Sequence, residues 1–143
     1  MNFLNNLAPH AHWFLRIALA SVFLYHGLGK FGNLSGMAEQ MQMPVFLVAL
    51  LGAAESLGGI FILAGGVSKE WMTRVAGLIF AVVMVGAILI VHLPHGWNSI
   101  GNLGMEFQFT LLMIALFFLV RGNSVGGGTT RQEPVQTQAE AGL

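Results

Sequence analysis

Long apolar runs separated by short polar turns dominate this chain. Four such runs occupy residues 13–31, 44–65, 72–93 and 104–120. Each is close to the 20 or so apolar residues that a helix needs to cross the hydrocarbon layer of a membrane. Clusters of Gly, Asn, Ser and Pro separate the runs, as is typical of turns. The pattern predicts an all-α fold, a four-transmembrane-helix bundle.

The chain divides into three parts by composition. Residues 1–12 are predicted to form an interfacial segment, with Trp13 as the anchor at the membrane boundary. Residues 13–122 form the transmembrane domain. The first run has no basic segment before it and no small-residue cleavage site after it, so we expect a retained helix and not a signal peptide. Residues 123–143 are rich in Gly, Thr, Gln and Glu, which predicts a disordered cytoplasmic tail.

Basic residues are distributed unevenly between the two faces of the predicted bundle. Five of the six Lys and Arg residues fall on the face that carries both termini, and only Lys30 falls on the other. Because cytoplasmic segments of membrane proteins are enriched in Lys and Arg, we expect both termini to be cytoplasmic. The expected location is the inner, or cytoplasmic, membrane of a bacterial-type cell, with several spans.

Composition narrows the classes of function. The chain is 55% hydrophobic and 8% charged, with a mean hydropathy of +0.73, whereas soluble domains are about 25% charged. Its formal net charge is zero, which gives no reason to expect nucleic-acid binding. There is no cysteine, so thiol chemistry and iron–sulfur clusters are excluded.

Glu55 lies in the middle of the second apolar run. A carboxylate at this depth costs roughly 2.5–3.5 kcal/mol on insertion scales, so such residues usually face a polar interior and mark a functional site. Gly52, Ser56 and Gly59 share its helix face, and small residues allow close helix packing in lipid. We therefore expect Glu55 to point inward.

Other ionisable residues are expected near Glu55, toward the outer half of the bundle. They are contributed by the first, third and fourth runs: Arg16, His26, Lys30, His92 and Glu106. Structural alternatives apply to several of them. Arg16 either extends to the headgroups or pairs with Glu55, and Lys30 is either an interfacial anchor or a site residue. His92 and Glu106 either belong to the site or form a hydrogen bond with each other that only stabilises helix packing.

The order of these residues resembles that of the DoxX family. The shared features are an Arg early in the first helix, the sequence His-Gly-Leu-Gly-Lys at its end, Glu55 followed by Gly58-Gly59, and an acidic residue opening the fourth helix. The resemblance covers roughly residues 14–122. It implies a four-helix integral membrane protein associated with membrane oxidoreductase complexes. It does not imply a particular reaction.

Several functions fit these features. The leading hypothesis is an accessory or quinone-interacting subunit of a membrane redox assembly, with aromatic walls that include Phe23, Tyr25 and Phe109. A haem or metal site, for which His26 and His92 would be the natural ligands, is less favoured because the ligand set is small. A non-catalytic membrane scaffold and a small proton or solute transporter are the remaining alternatives.

The residue roles follow from the leading hypothesis. We predict catalytic roles for Glu55, His26 and Glu106 and cofactor-binding roles for Arg16, Lys30 and His92, with a quinone as the cofactor and no metal ligands. The expected partners are the lipid bilayer and other membrane subunits, in a homo- or hetero-oligomer. Whether the protein is itself an enzyme is left open by the sequence.

Overall fold

The structure, a computed structural model, describes residues 2–124, and this part of the chain is helical with no strand. Six α-helices follow one another; a 3-10 turn joins the first two, and a π turn and a second 3-10 turn follow the fifth. Their bounds are α1 Asn2–Leu7, α2 His12–Gly32, α3 Leu34–Met41, α4 Val45–Val67, α5 Glu70–Ala87 and α6 Glu106–Arg121. The predicted all-α class is confirmed.

Two helical segments within residues 2–124 are long and apolar enough to cross a membrane. They are Val45–Val67 and the continuous segment Glu70–His95, which extends α5. There is a third candidate span if Asn2–His10 and His12–Gly32, which meet at a bend of 44°, cross the membrane as one segment. Helix α6 has only 16 residues. The chain therefore has two to three candidate spans by length and composition, and the four-span arrangement with cytoplasmic termini stays a prediction.

The long helices pack in chain order, α2 against α4, α4 against α5 and α5 against α6, with a smaller contact between α2 and α6. Buried apolar side chains fill the space between them, including Leu19, Ile62 and Phe118. Phe23 of α2 and Phe80 of α5 stack with their ring centroids 3.8 Å apart. This core lies midway along the helices and leaves room for polar groups at both ends.

The long helices define two ends of the molecule, the terminal end and the α3 end. The terminal end contains the first residues of α2 and α5 and the last residues of α4 and α6. The α3 end contains the opposite ends of the same helices and the short helix α3.

Close helix contacts confirm the small-residue face predicted on α4. Gly52, Glu55, Ser56 and Gly59 are all buried. A Cβ atom placed on Gly27 of α2 would lie 2.7 Å from the backbone nitrogen of Ser56, so only glycine fits there. On α6 the buried residues are Leu111, Ala115 and Phe118, whereas Thr110, Met113 and Phe117 are exposed.

The first connection is not the simple turn that its Gly, Asn and Ser residues suggest. Asn33 is the N-cap of α3, and its side chain accepts a hydrogen bond of 3.0 Å from the backbone nitrogen of Gly36. Helix α3 ends at Gln42, which adopts a left-handed conformation with a φ of 52°. This extra helix packs on α4 and covers part of the α3 end.

The last turn of the third apolar run departs from α-helical geometry. The α-helix ends at Ala87 and continues as a π turn, Ile88–His92, and then a 3-10 turn, Leu93–His95. A π turn adds one residue per turn and rotates the side chains that follow it. It therefore decides where His92 points.

The chain leaves α6 at Gly122, and Asn123 is half-buried at the terminal end. The predicted cytoplasmic tail, residues 123–143, falls almost entirely outside the described residues, which end at Ser124.

Candidate functional site

A cavity of about 470 Å³ lies at the α3 end. Helices α2, α3, α4, α5 and α6 and the π turn all contribute to its wall, which is mainly apolar. The polar side chains on the wall are His26, Lys30, Glu55, His92 and Gln108. Four of these five were predicted as site residues, so the structure places them around one space.

Lys30 and Glu55 form a buried ion pair across this wall. The Nζ of Lys30 lies 2.5 Å from Oε2 of Glu55, and the two side chains are 7% and 6% exposed. Lys30 also donates to the backbone oxygen of His26 at 3.2 Å. The inward orientation predicted for Glu55 is confirmed, and Lys30 is its partner rather than a surface anchor.

His26 is exposed on α2 one turn before Lys30, yet its side chain borders the cavity. Its ring meets the edge of Tyr25 at a centroid distance of 5.4 Å. The predicted aromatic wall is only partly correct. Phe23 borders the cavity, but Tyr25 is 78% exposed, and Phe109 packs against Trp97 in the loop that precedes α6.

His92 and Glu106 do not bond to each other, so the alternative of a packing hydrogen bond between them is wrong. His92 Nδ1 lies 2.6 Å from the backbone oxygen of Leu103. Glu106 accepts a hydrogen bond of 3.0 Å from the backbone nitrogen of Ser99. The loop between the π turn and α6 folds back and separates the two side chains. His92 borders the cavity, and Glu106 instead holds this loop against the start of α6.

Arg16 lies at the opposite, terminal end and forms a separate cluster. Its guanidinium is fully buried and donates to the oxygen of Ile62 at 2.7 Å, to Thr73 Oγ1 at 3.0 Å and to Asn123 Oδ1 at 2.9 Å. Its Nε also donates to His12 Nδ1 at 3.0 Å. Both alternatives considered for Arg16, extension to the headgroups and pairing with Glu55, are therefore wrong.

The same cluster contains residues that the sequence did not single out. Thr73 donates to Asn123 Oδ1 at 2.7 Å, and the amide of Asn123 donates to the oxygen of Gly65 at 2.7 Å. Asn123 comes three positions after the end of the last apolar run, where a polar residue is typical of the start of a tail. Nothing in its local sequence distinguishes it from the residues beyond it.

Gln108 is the site residue that sequence reasoning missed at the cavity. Its Oε1 is buried without a hydrogen-bond partner among residues 2–124. The signal was present in the sequence, because Gln108 is the one amide side chain within the apolar run 104–120. Gln108 is not ionisable, unlike the residues that were predicted to form the site.

No three His, Cys, Asp or Glu residues within the described range lie close enough together to hold a metal ion. The polar groups of the cavity wall are instead one ion pair, two imidazoles and one amide. Such groups can hydrogen-bond to the head group of an apolar ligand and exchange protons with it.

Comparison with known proteins gives the family. The DoxX family model matches residues 11–93, which is more than half of the chain. The chain belongs to the DoxX family. The matched segment contains Arg16, His26, Lys30, Glu55 and His92, whereas Glu106 and Gln108 lie beyond it.

Two relatives of this DoxX protein illustrate its similarity to curated proteins. One, from Bacillus subtilis (strain 168), is named "Putative oxidoreductase CatD" and is 30% identical over 112 residues, covering 76% of this chain and 77% of its own. An uncharacterized protein from Haemophilus influenzae is 31% identical over 129 residues, covering 85% of this chain and 90% of its own. No solved structure matches the chain significantly.

Proposed function

We propose that this DoxX protein is a quinone-interacting or accessory subunit of a membrane redox assembly, and that the cavity at the α3 end holds the head group of the quinone. The observation that carries the proposal is the buried pair Lys30–Glu55 on the wall of an otherwise apolar space. Ligand sites in proteins are typically apolar clefts of about 300–1,000 Å³ with a few polar groups that orient the ligand. The cavity has both features.

The polar groups also suit the ligand chemically. A quinone head group has two carbonyl oxygens that accept hydrogen bonds, and its reduction requires protons. His26 and His92 border the cavity, and imidazole is the side chain that most often transfers protons in proteins. Lys30 is a hydrogen-bond donor beside them. Several lining residues, among them Val82 and Ile90, are exposed at the protein surface, which would let an apolar ligand enter from the bilayer.

The membrane arrangement is part of the same proposal. We place the protein in the inner membrane with four spans, α6 being the fourth, and with both termini in the cytoplasm. The apolar composition of α6 and the five-to-one distribution of Lys and Arg support this arrangement. In it, the cavity opens near the outer face. The relative named as an oxidoreductase gives the redox role limited support.

A cavity-filling substitution tests ligand binding with little risk to the fold. Gly86 borders the cavity, and a Cβ placed on it meets no atom within 4 Å. We expect Gly86→Leu to project into the empty space and to abolish binding of a short-chain ubiquinone by the purified protein. Gly29→Leu is the matched control, because Gly29 is equally unobstructed and does not border the cavity.

Retention of quinone should follow the same pattern when the wild-type and variant proteins are purified in mild detergent and extracted. Equal binding by both variants would place the ligand elsewhere. Absence of any bound quinone from the wild-type protein would contradict the proposal and favour a non-catalytic scaffold.

A further inference from the structure

The hydrogen bond of His92 fixes which of its ring nitrogens carries a proton. A backbone carbonyl only accepts hydrogen bonds, so Nδ1, at 2.6 Å from the oxygen of Leu103, must be the protonated nitrogen. In the neutral ring, Nε2 then has a free lone pair. His92 borders the cavity, so in this tautomer Nε2 is the ring nitrogen that can accept a hydrogen bond from a ligand.

The backbone on both sides of this hydrogen bond has unusual geometry. His92 ends the π turn Ile88–His92, and Leu103 has a φ of 55°, which is sparsely populated by residues other than glycine. π turns are frequent at functional sites, and strained residues persist only where the surrounding structure holds them. The π turn and the loop that contains Leu103 thus meet at the hydrogen bond that fixes the orientation of the His92 ring.

The other polar groups of the wall contribute one donor and one acceptor. Lys30, the cation among them, already donates to Glu55 and to the oxygen of His26, so one of its three N–H groups remains for a ligand. Gln108 has a buried oxygen without a donor among residues 2–124. Rotation of its amide toward the cavity would let this oxygen accept a hydrogen bond from a ligand. No ring hydrogen bond within this range fixes the tautomer of His26.

We infer that the cavity prefers a ligand that donates hydrogen bonds, and specifically the hydroxyl-bearing quinol over the quinone, with Nε2 of His92 as the acceptor of one hydroxyl. The inference rests on the proposed function and adds the form of the ligand. A quinone offers only acceptors to this nitrogen and forms no hydrogen bond with it. The quinol supplies the missing donor.

The experiment compares the two forms of one ligand. The full-length protein in lipid nanodiscs is titrated under anaerobic conditions with decylubiquinol and, separately, with decylubiquinone. We expect the quinol to bind about tenfold more tightly, as one unmatched hydrogen bond would produce. His92→Phe should reduce this ratio to about one. His95→Phe is the matched control, because His95 is exposed three residues away and does not border the cavity.

Nitrogen NMR of the ¹⁵N-histidine-labelled wild-type protein provides a readout that does not depend on the variant folding. The expected result is a His92 ring protonated at Nδ1, whose Nε2 signal shifts when the quinol is added. A ring protonated at Nε2, or a quinol preference that survives in His92→Phe, overturns the inference while leaving quinone binding intact. If neither form binds, the proposed function fails as well.

Discussion

At the scale of the residue, the partner of Glu55 is decided by how far α4 extends past α2. Depth counted from the end of each helix places Lys30 near the surface and Glu55 roughly 16 Å below it. In the structure Gly27 lies against Ser56, and Lys30 is level with Gly52, because α3 and the residues around it carry the chain beyond the end of α2 before α4 begins. The sequence therefore predicts that Glu55 points inward. Its partner depends on how far α4 is shifted along α2, which the sequence of neither helix indicates.

The buried ion pair predicts a specific pattern of stability. Glu55→Gln leaves the ammonium of Lys30 buried without its counter-charge, and removal of one member of a buried pair typically costs about 3–5 kcal/mol. The double variant Lys30→Met, Glu55→Gln removes both charges and should regain most of this loss while still failing to bind a quinone. Thermal unfolding in detergent and ligand titration measure the two effects separately.

Glu39→Gln serves as the control for that comparison, since Glu39 is exposed on α3. If Glu55→Gln is as stable as the wild-type protein, the pair contributes little to folding. If the double variant still binds a quinone, the pair contributes nothing to the site.

At the scale of the element, glycines set the distance between helices. A Cβ on Gly77 of α5 would lie 2.6 Å from the backbone nitrogen of Leu119 on α6, and Gly27 makes the corresponding close contact between α2 and α4. The sequence predicts such contacts on α4, where small residues recur on one face. Helix α3 could not be predicted in the same way, because its Asn33 N-cap stands among residues that equally favour a turn.

These contacts predict opposite effects for two glycines on one helix. Gly27→Ala forces backbone atoms of α2 and α4 apart and should lower the free energy of unfolding by about 1–3 kcal/mol. Gly29→Ala meets no atom within 4 Å and should be neutral or slightly stabilising, because alanine favours the helix by about 1 kcal/mol. Unfolding in a graded series of denaturing detergent ranks both variants. Similar stability of the two would mean that α2 and α4 do not pack this closely.

At the scale of the whole molecule, the absence of cysteine makes the membrane arrangement directly measurable. With four spans and cytoplasmic termini, Ser35→Cys and Asn102→Cys should react with a membrane-impermeant maleimide on intact spheroplasts. Ser68→Cys should react only after lysis. All three residues are exposed, so accessibility reports the side of the membrane. Labelling of Ser68→Cys before lysis would reverse the orientation, and protection of Asn102→Cys would contradict the fourth span.

The overall hydropathy pattern predicts the helical class because each apolar run is long and continuous. It does not predict the division of the polar groups between two ends, with Arg16 at one and Lys30 at the other. The helical phase places both side chains on the inner face of α2. Each side chain has hydrogen-bond partners on other helices, and the sequence of α2 does not indicate them.

The contact between Arg16 and Asn123 spans 107 positions of the chain. During synthesis the guanidinium therefore leaves the ribosome early, and one of its acceptors is among the last of the helical domain to follow. Until α6 and Asn123 have been synthesised, Arg16 of α2 cannot form all of its hydrogen bonds. The arrangement ties final assembly of the helices to completion of the polypeptide, because a chain that ends before Asn123 lacks one of the acceptors of the buried guanidinium.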